Sequence, residues 1–316
     1  LKRSQKNSLI DELAIYGPGA EPSTPPSLQE SRCYCRRLAE SHYENFTVAS
    51  FLMPKRLRQH FCNVYAYCRW ADDLADETGD AERSLALLDW WESQLDDCYA
   101  GRMSHPVFVA LSETIKEFEI PSQPFADLLV AFRQDQRVTR YRTMEDLLGY
   151  CRNSANPVGR LVLYLAGCTD ERSFELSDSI CTGLQLANFW QDVGNDWDRG
   201  RIYLPIEWQQ RHGYDESMFA KRQCNEAFRA MLAAAVDDAQ QRLRAGQPLV
   251  WSVPREFRLS IDLFVHGGLT VLDAIRRQEY DVWSRRPVVT KWQKFRLMGG
   301  AWWRGLCDPC IRSDRK

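Results

Sequence analysis

Apolar residues recur along this chain at steps of three and four almost throughout, the spacing of one helical face. The rhythm predicts a helix from Ser27 to about Tyr43. A second opens at Pro54, which suits a first helical turn, and runs to about Glu77. Thr78-Gly79-Asp80 breaks it, and the next helix sets Leu85, Leu88, Trp91 and Leu95 on one face before stopping near Gly101. Helices are expected at 105–119 and 123–138, parted by Pro121. Thr143 and Asp146 form a capping-box pattern that opens another. Asn156-Pro157-Val158-Gly159 should kink that helix before it resumes through Leu165. A long helix is expected at roughly 173–196, and further ones at 206–212, 216–245 and 255–280. Gly267-Gly268 falls inside the last, where glycine costs about 1 kcal/mol relative to alanine, so a packing or ligand reason is expected. No alternating strand pattern, fixed-period repeat or linker appears. The fold class is therefore all-α and single-domain, over 27–290. A tail rich in Pro, Gly and Ser at 1–26 reads as mobile, and a basic, aromatic extension occupies 291–316.

Two stretches disturb the simple amphipathic picture. Asp72 and Asp76 stand at i and i+4 in the aromatic run Tyr65-Ala66-Tyr67-Cys68-Arg69-Trp70-Ala71-Asp72-Asp73-Leu74-Ala75-Asp76, with Tyr65 and Arg69 on the same stripe. Asn188, Asp192 and Asp196 repeat the four-residue step beside the apolar stripe Leu186, Trp190, Val193 and Trp197. An isolated D-x-x-x-D is usually a solvated face. Two such sets on helices this apolar are different, because burying several carboxylates without cations is costly. Oxygen-only ligands favour Mg²⁺ over Zn²⁺, and no His/Cys cluster has zinc spacing. Facing each other, the two stripes would line a cavity for hard cations and, through them, phosphates. Arg69, Arg199, Arg201, Arg285 and Arg286 are placed to bind phosphate oxygens. Diphosphate departure from an apolar substrate leaves a carbocation, which aromatic faces stabilise.

Composition adds limits. The net charge of -2 among 316 residues gives no global bias toward nucleic acid. Eleven cysteines, an odd number scattered through helical segments, suggest reduced thiols and a cytoplasmic location. Cys307-Asp308-Pro309-Cys310 is a lone C-x-x-C, weak as a redox or metal pair. No apolar run is long enough to span a bilayer, so any membrane contact is expected to be peripheral.

The paired acidic motifs, their order and the intervening Tyr150-Cys151 segment resemble the squalene/phytoene synthase family of head-to-head prenyl synthases, from about Cys33 to Arg286. The resemblance implies an isoprenoid-synthase-type helical bundle around a central cavity, and Mg²⁺ (or Mn²⁺) with a prenyl diphosphate or presqualene diphosphate as substrate. By the same likeness Asp72, Asp76, Asn188, Asp192 and Asp196 hold the metals; Asp73 is extra to the motif and is placed to support them. His42, Phe46, Tyr65, Arg69, Gln185, Arg201 and Arg285 match substrate-binding positions, and Tyr150 matches a tyrosine that handles a proton or stabilises a cation.

The chain departs from many relatives in Gln191 for Arg, Gly268 for Tyr, and Asn156-Pro157 before Val158-Gly159. These features look most like the bacterial hydroxysqualene-forming branch of the hopanoid pathway, which ionises presqualene diphosphate and quenches the cation with water. NADPH is then not expected, and no G-x-G-x-x-G module is found. Gly267 and Gly268 are expected to leave room for that water or for a differently shaped tail, and Gln191 to weaken handling of a second prenyl diphosphate. Pathway enzymes and a membrane surface are compatible partners. The rival readings are a squalene or phytoene synthase condensing two prenyl diphosphates, and a non-catalytic helical assembly or membrane-surface protein.

Overall fold

The computed structural model describes residues 9–20, 25–41 and 54–288. The all-α class holds: among the described residues there is no strand, and a single isolated parallel bridge joins Arg140 and Ile202. The chain forms two compact units, one from residues 1–137 and 160–169, the other from 138–159 and 170–316. Each is described by itself.

The first unit carries α1 (Leu9–Tyr16), α2 (Leu28–Ser41), a single 3₁₀ turn (Lys55–Leu57), α3 (Arg58–Asp76), α4 (Ala81–Tyr99), α5 (Pro106–Phe118) and α6 (Gln123–Asp135). Helix α1 lies in the stretch read from sequence as a mobile tail, and its anchoring explains the difference. Leu9 is buried, the Tyr34 hydroxyl donates to Glu12 at 2.9 Å, and Tyr16 meets the rings of Tyr34 and His105 edge-on. Helix α3 is central. Its Val64, Tyr67, Trp70, Ala71 and Leu74 are buried at steps of three and four. Trp70 stacks on Trp91 at 5.3 Å, and the Tyr67 hydroxyl donates to the Phe125 carbonyl at 3.0 Å. Burial on that side leaves Tyr65, Arg69, Asp72 and Asp76 on another face of α3.

The second unit begins with α7 (Met144–Ser154), opened by the capping box that Thr143 and Asp146 predicted. The expected kink is a break at Ala155, after which α8 (Asn156–Ala166), whose residues from Arg160 on belong to the first unit, starts with Pro157 in its first turn. There follow α9 (Glu171–Gln191), α10 (Val193–Asp198), α11 (Ile206–His212), α12 (Glu216–Ala220), α13 (Glu226–Gly246), α14 (Leu249–Ser252) and α15 (Arg255–Arg277). The single helix expected at 216–245 is therefore two. Arg222 takes a left-handed conformation (φ 48°), and Asn225 caps α13 by accepting from the Phe228 N–H.

Helices α9, α13 and α15 pack together through glycines. A Cβ at Gly246 would stand 2.5 Å from the Leu176 carbonyl oxygen, and one at Gly183 would stand 3.0 Å from the Leu243 backbone nitrogen. At Gly268 of α15 a Cβ would meet side chains instead, 2.8 Å from Leu184 Cδ2 and 2.9 Å from Leu243 Cδ1. Gly268 thus has a packing reason, and the space that the sequence reading assigned to it is filled by two leucines. Among the described residues no helix is long and apolar enough to cross a membrane. Gly246→Ala should lower the unfolding free energy by about 1–3 kcal/mol, because the clash is with backbone that cannot rotate away. Chemical denaturation measures this, and an unchanged midpoint would contradict the packing account.

Candidate active site

The first acidic set sits on α3. Asp72 is half-exposed and Asp76 exposed, while the neighbouring Asp73 is more enclosed, its side chain 17% accessible. Arg69 is the hub. Its Nη1 donates to Asp72 Oδ2 at 2.9 Å, its Nε to Asp73 Oδ2 at 3.1 Å, and its Nη2 to Asp73 Oδ1. Sequence spacing singled out Asp72 and Asp76, but the bidentate partner of Arg69 is Asp73. Burial raises the Asp72 pKa, with Asp76 and Glu77 adding to the rise and Arg69 opposing it. Burial likewise raises Asp73, again against Arg69. Tyr65 lies on the same stripe, and burial raises its phenol pKa. His42 and Phe46 lie outside the described residues.

The second acidic set lies in the other unit. The helix expected at 173–196 is interrupted at Asp192 (φ −105°, ψ 13°), which ends α9 and precedes α10. The hydrogen-bond ladder nonetheless crosses the interruption: the Asp192 N–H donates to the Asn188 carbonyl and the Asp196 N–H to the Asp192 carbonyl, each at 2.9 Å. The four-residue step is thereby kept. Asn188 is exposed and Gln185, one turn earlier, half-buried. Burial pushes Asp196 up to about 7, with Asp192 adding to the rise and Arg199, Arg201 and Arg286 opposing it.

Arg286 grips Asp192 with both carboxylate oxygens engaged, Nε to Oδ1 and Nη2 to Oδ2 at 2.8 Å. Its Nη2 also donates to Gln191 Oε1 at 3.2 Å, while Gln191 Nε2 donates to the Pro287 carbonyl. Arg286 is therefore the late arginine that meets the acidic motif, and Arg285 is exposed beside it. Sequence spacing could not choose between adjacent arginines. Gln191, read from sequence as a departure that weakens handling of a second prenyl diphosphate, bonds the segment that carries Arg286.

An aromatic wall lies under this motif. Tyr203 stacks on Phe189 at 3.7 Å and 8°, and on Tyr141 at 5.8 Å and 21°. Tyr150 is buried against all three, at 5.7 Å from Tyr141 and 6.2 Å from Phe189 and Tyr203. The loop after α10 is fixed by backbone bonds from Ile202 N to Thr139 O (3.0 Å) and Ile206 N to Tyr141 O (2.9 Å), which hold Tyr141 and Tyr203 together. A hollow of about 10 Å³, room for one water, lies among Phe189, Asp196, Arg201 and Tyr203. Tyr141 escaped the sequence reading because its partner Tyr203 is distant in sequence.

Among the described residues no group of three or more His, Cys, Asp or Glu side chains is arranged to hold a metal ion. The donor chemistry still suits Mg²⁺, which is commonly bound through one or two carboxylates together with water and substrate phosphates. Carboxylates crowded enough to raise one another's pKa, with arginines against them, are groups that a divalent cation would relieve. An acid whose folded pKa is raised contributes stability below its unfolded pKa, near 4, and loses it as pH climbs through about 7. Mg²⁺ should therefore raise the thermal midpoint more at about pH 8 than at about pH 5. Asp196→Asn should raise the metal-free midpoint at about pH 8 and diminish the Mg²⁺ effect there. Differential scanning fluorimetry checks both, and an effect equal at the two pH values would contradict the assignment.

The sequence matches the squalene/phytoene synthase family model over residues 39–293. A phytoene synthase from Arthrospira platensis is 30% identical over 284 residues, covering 86% of this chain and 92% of the relative. Among solved structures, the squalene synthase HpnC from Alicyclobacillus acidocaldarius superposes with a TM-score of 0.77 at 44% identity, covering 80% of this chain and 95% of that one. A dehydrosqualene synthase in complex with ligand gives a TM-score of 0.79 at 27% identity, covering 88% and 97%. The acidic motifs and the tyrosine-lined wall thus sit in a chain that belongs to the squalene/phytoene synthase family, whose members act on prenyl diphosphates.

Proposed function

We propose that the protein ionises presqualene diphosphate and lets water quench the rearranged cation, giving hydroxysqualene in a bacterial hopanoid-type pathway. What favours squalene-type over phytoene-type chemistry is the 44% identity to the squalene synthase HpnC, against 30% to the phytoene synthase of Arthrospira platensis; the hydroxylated product is the further step that the departure at Gln191 suggests. Asp72, Asp76, Asn188, Asp192 and Asp196 are the proposed ligands through which the cations hold the diphosphate, with Asp73 orienting Arg69. Mg²⁺, when bound, would neutralise the diphosphate as a leaving group.

The chain's own residues do the rest. Arg69, Arg201 and Arg285 supply guanidinium charge to the phosphate oxygens, joined by Arg286, which the structure pairs with Asp192. Gln185, with His42 and Phe46 outside the described residues, contacts the substrate. Tyr150, Phe189 and Tyr203 present π faces to the cation and keep bulk water away. Tyr150 also takes or returns a proton, and Tyr65 lines the approach to Arg69. The reaction needs no hydride donor. The product is apolar, which suits peripheral contact with a membrane.

Incubation with presqualene diphosphate and Mg²⁺, without NADPH, should yield hydroxysqualene by mass spectrometry. Phytoene or squalene formed from two prenyl diphosphates would contradict the proposal in favour of the condensing rival. Inactivity on every prenyl diphosphate tested would favour a non-catalytic role. Asp192→Asn should lower turnover on the active substrate by about 10²-fold or more, and an unchanged kcat would remove Asp192 from the site.

A further inference from the structure

The two acidic motifs meet their arginines in different ways. On α3, Arg69 turns its bidentate face to Asp73, which is extra to the four-residue step, and reaches Asp72 only through Nη1 to one oxygen at 2.9 Å. The Asp72 side chain stays 44% accessible, and Asp76 is exposed and is not among the partners of Arg69. A cation can settle on Asp72 and Asp76 while Arg69 keeps its grip on Asp73. At the second motif the arginine sits on the proposed ligand itself. Arg286 engages both Asp192 oxygens, Asn195 Nδ2 donates to Oδ1 at 2.9 Å, and the side chain is only 17% accessible. Three donors on one carboxylate leave it little lone-pair capacity for a metal. The segment that brings Arg286 there is fixed at both ends. Trp283 is buried against Phe219 and Phe228, with ring centroids 5.9 and 5.6 Å away, and Gln191 Nε2 donates to the Pro287 carbonyl. The Arg286 side chain itself is 45% accessible, so it can turn off Asp192 without unseating its backbone. A diphosphate offers a guanidinium the same bidentate geometry that a carboxylate does.

We propose that Arg286 competes with the divalent cation for Asp192, so that the second motif takes its cation weakly until a diphosphate draws the guanidinium away, whereas the first motif, whose arginine rests on Asp73, takes a cation unaided. The inference rests on the diphosphate reading above, and metal binding without any substrate separates the two. Free Mn²⁺ is followed by electron paramagnetic resonance as the ion is titrated, at one pH, into the wild-type protein, Asp72→Asn, Asp192→Asn, Arg286→Met, Arg286→Lys and the double variant Arg286→Met/Asp192→Asn, with and without inorganic pyrophosphate. Without pyrophosphate the wild type is expected to show a tighter class of ion, lost in Asp72→Asn and kept in Asp192→Asn, and a weaker class. Arg286→Met tightens the weaker class by about tenfold or more, and adding Asp192→Asn cancels the gain. Arg286→Lys, which keeps the charge but not the fork, moves the weaker class in the same direction by less. Pyrophosphate tightens the weaker class in the wild type and does so less in Arg286→Met. A smaller gain in Arg286→Met overturns the inference, as does a gain that survives Asp192→Asn, or a tighter class lost in Asp192→Asn and kept in Asp72→Asn. If the wild type binds neither Mn²⁺ nor, with it, pyrophosphate, the diphosphate reading falls and this inference with it. If it binds both and Arg286→Met leaves the Mn²⁺ classes unmoved, only this inference falls.

Discussion

Asp73 and Asp196 are carboxylates set among apolar helices, and burial raises the pKa of each. Buried charge of one sign has to be met by the other or be given up to a proton. The chain meets it with guanidinium: Arg69 grips Asp73 and touches Asp72, and Arg286 grips Asp192. Much of the local structure serves these pairs. Asp192 interrupts a long helix without breaking its hydrogen-bond ladder, and Gln191 pins the chain at Pro287 so that Arg286 arrives in place. Such pairs are charge-assisted, and under the proposed function Asp72 and Asp192 would pass to a divalent cation and leave their arginines to phosphate oxygens.

The apolar framework places these charges. In the first unit, a core of Tyr67, Trp70 and Trp91 fixes the rotation of α3 and so decides which of its residues stay outside. In the second, glycines at 183, 246 and 268 bring α9, α13 and α15 close enough for backbone and leucine side chains to touch. The loop after α10, tied to residues 139–142, then delivers Tyr203 onto Phe189. Acid and aromatic wall are thus positioned by the same short segment.

The all-α class, the capping box at Thr143 and the break near Pro157 were legible in sequence, because period, caps and proline act locally. Helix α1 was not, since its short, proline-flanked sequence is held by tertiary contacts of Tyr16 and Glu12. The split at Lys221–Asn225 was hidden because the capping role of Asn225 is invisible inside a periodic run. The acidic residues themselves could be read from spacing. Their partners could not: Arg286 lies 94 residues beyond Asp192. Gly268 was read as open space, and only the helix packing shows that its neighbours are leucines.

The proposed function requires that Asp72 and Asp192, far apart in sequence, both contribute to binding of a diphosphate with its cations. Calorimetric titration of inorganic pyrophosphate with Mg²⁺ into wild type, Asp72→Asn, Asp192→Asn and the double variant tests it most directly. The account predicts that each single variant weakens binding and that the double loses little beyond the worse single, a coupling that two independent sites would not show. Additive losses, or pyrophosphate affinity unmoved by either change, would contradict it.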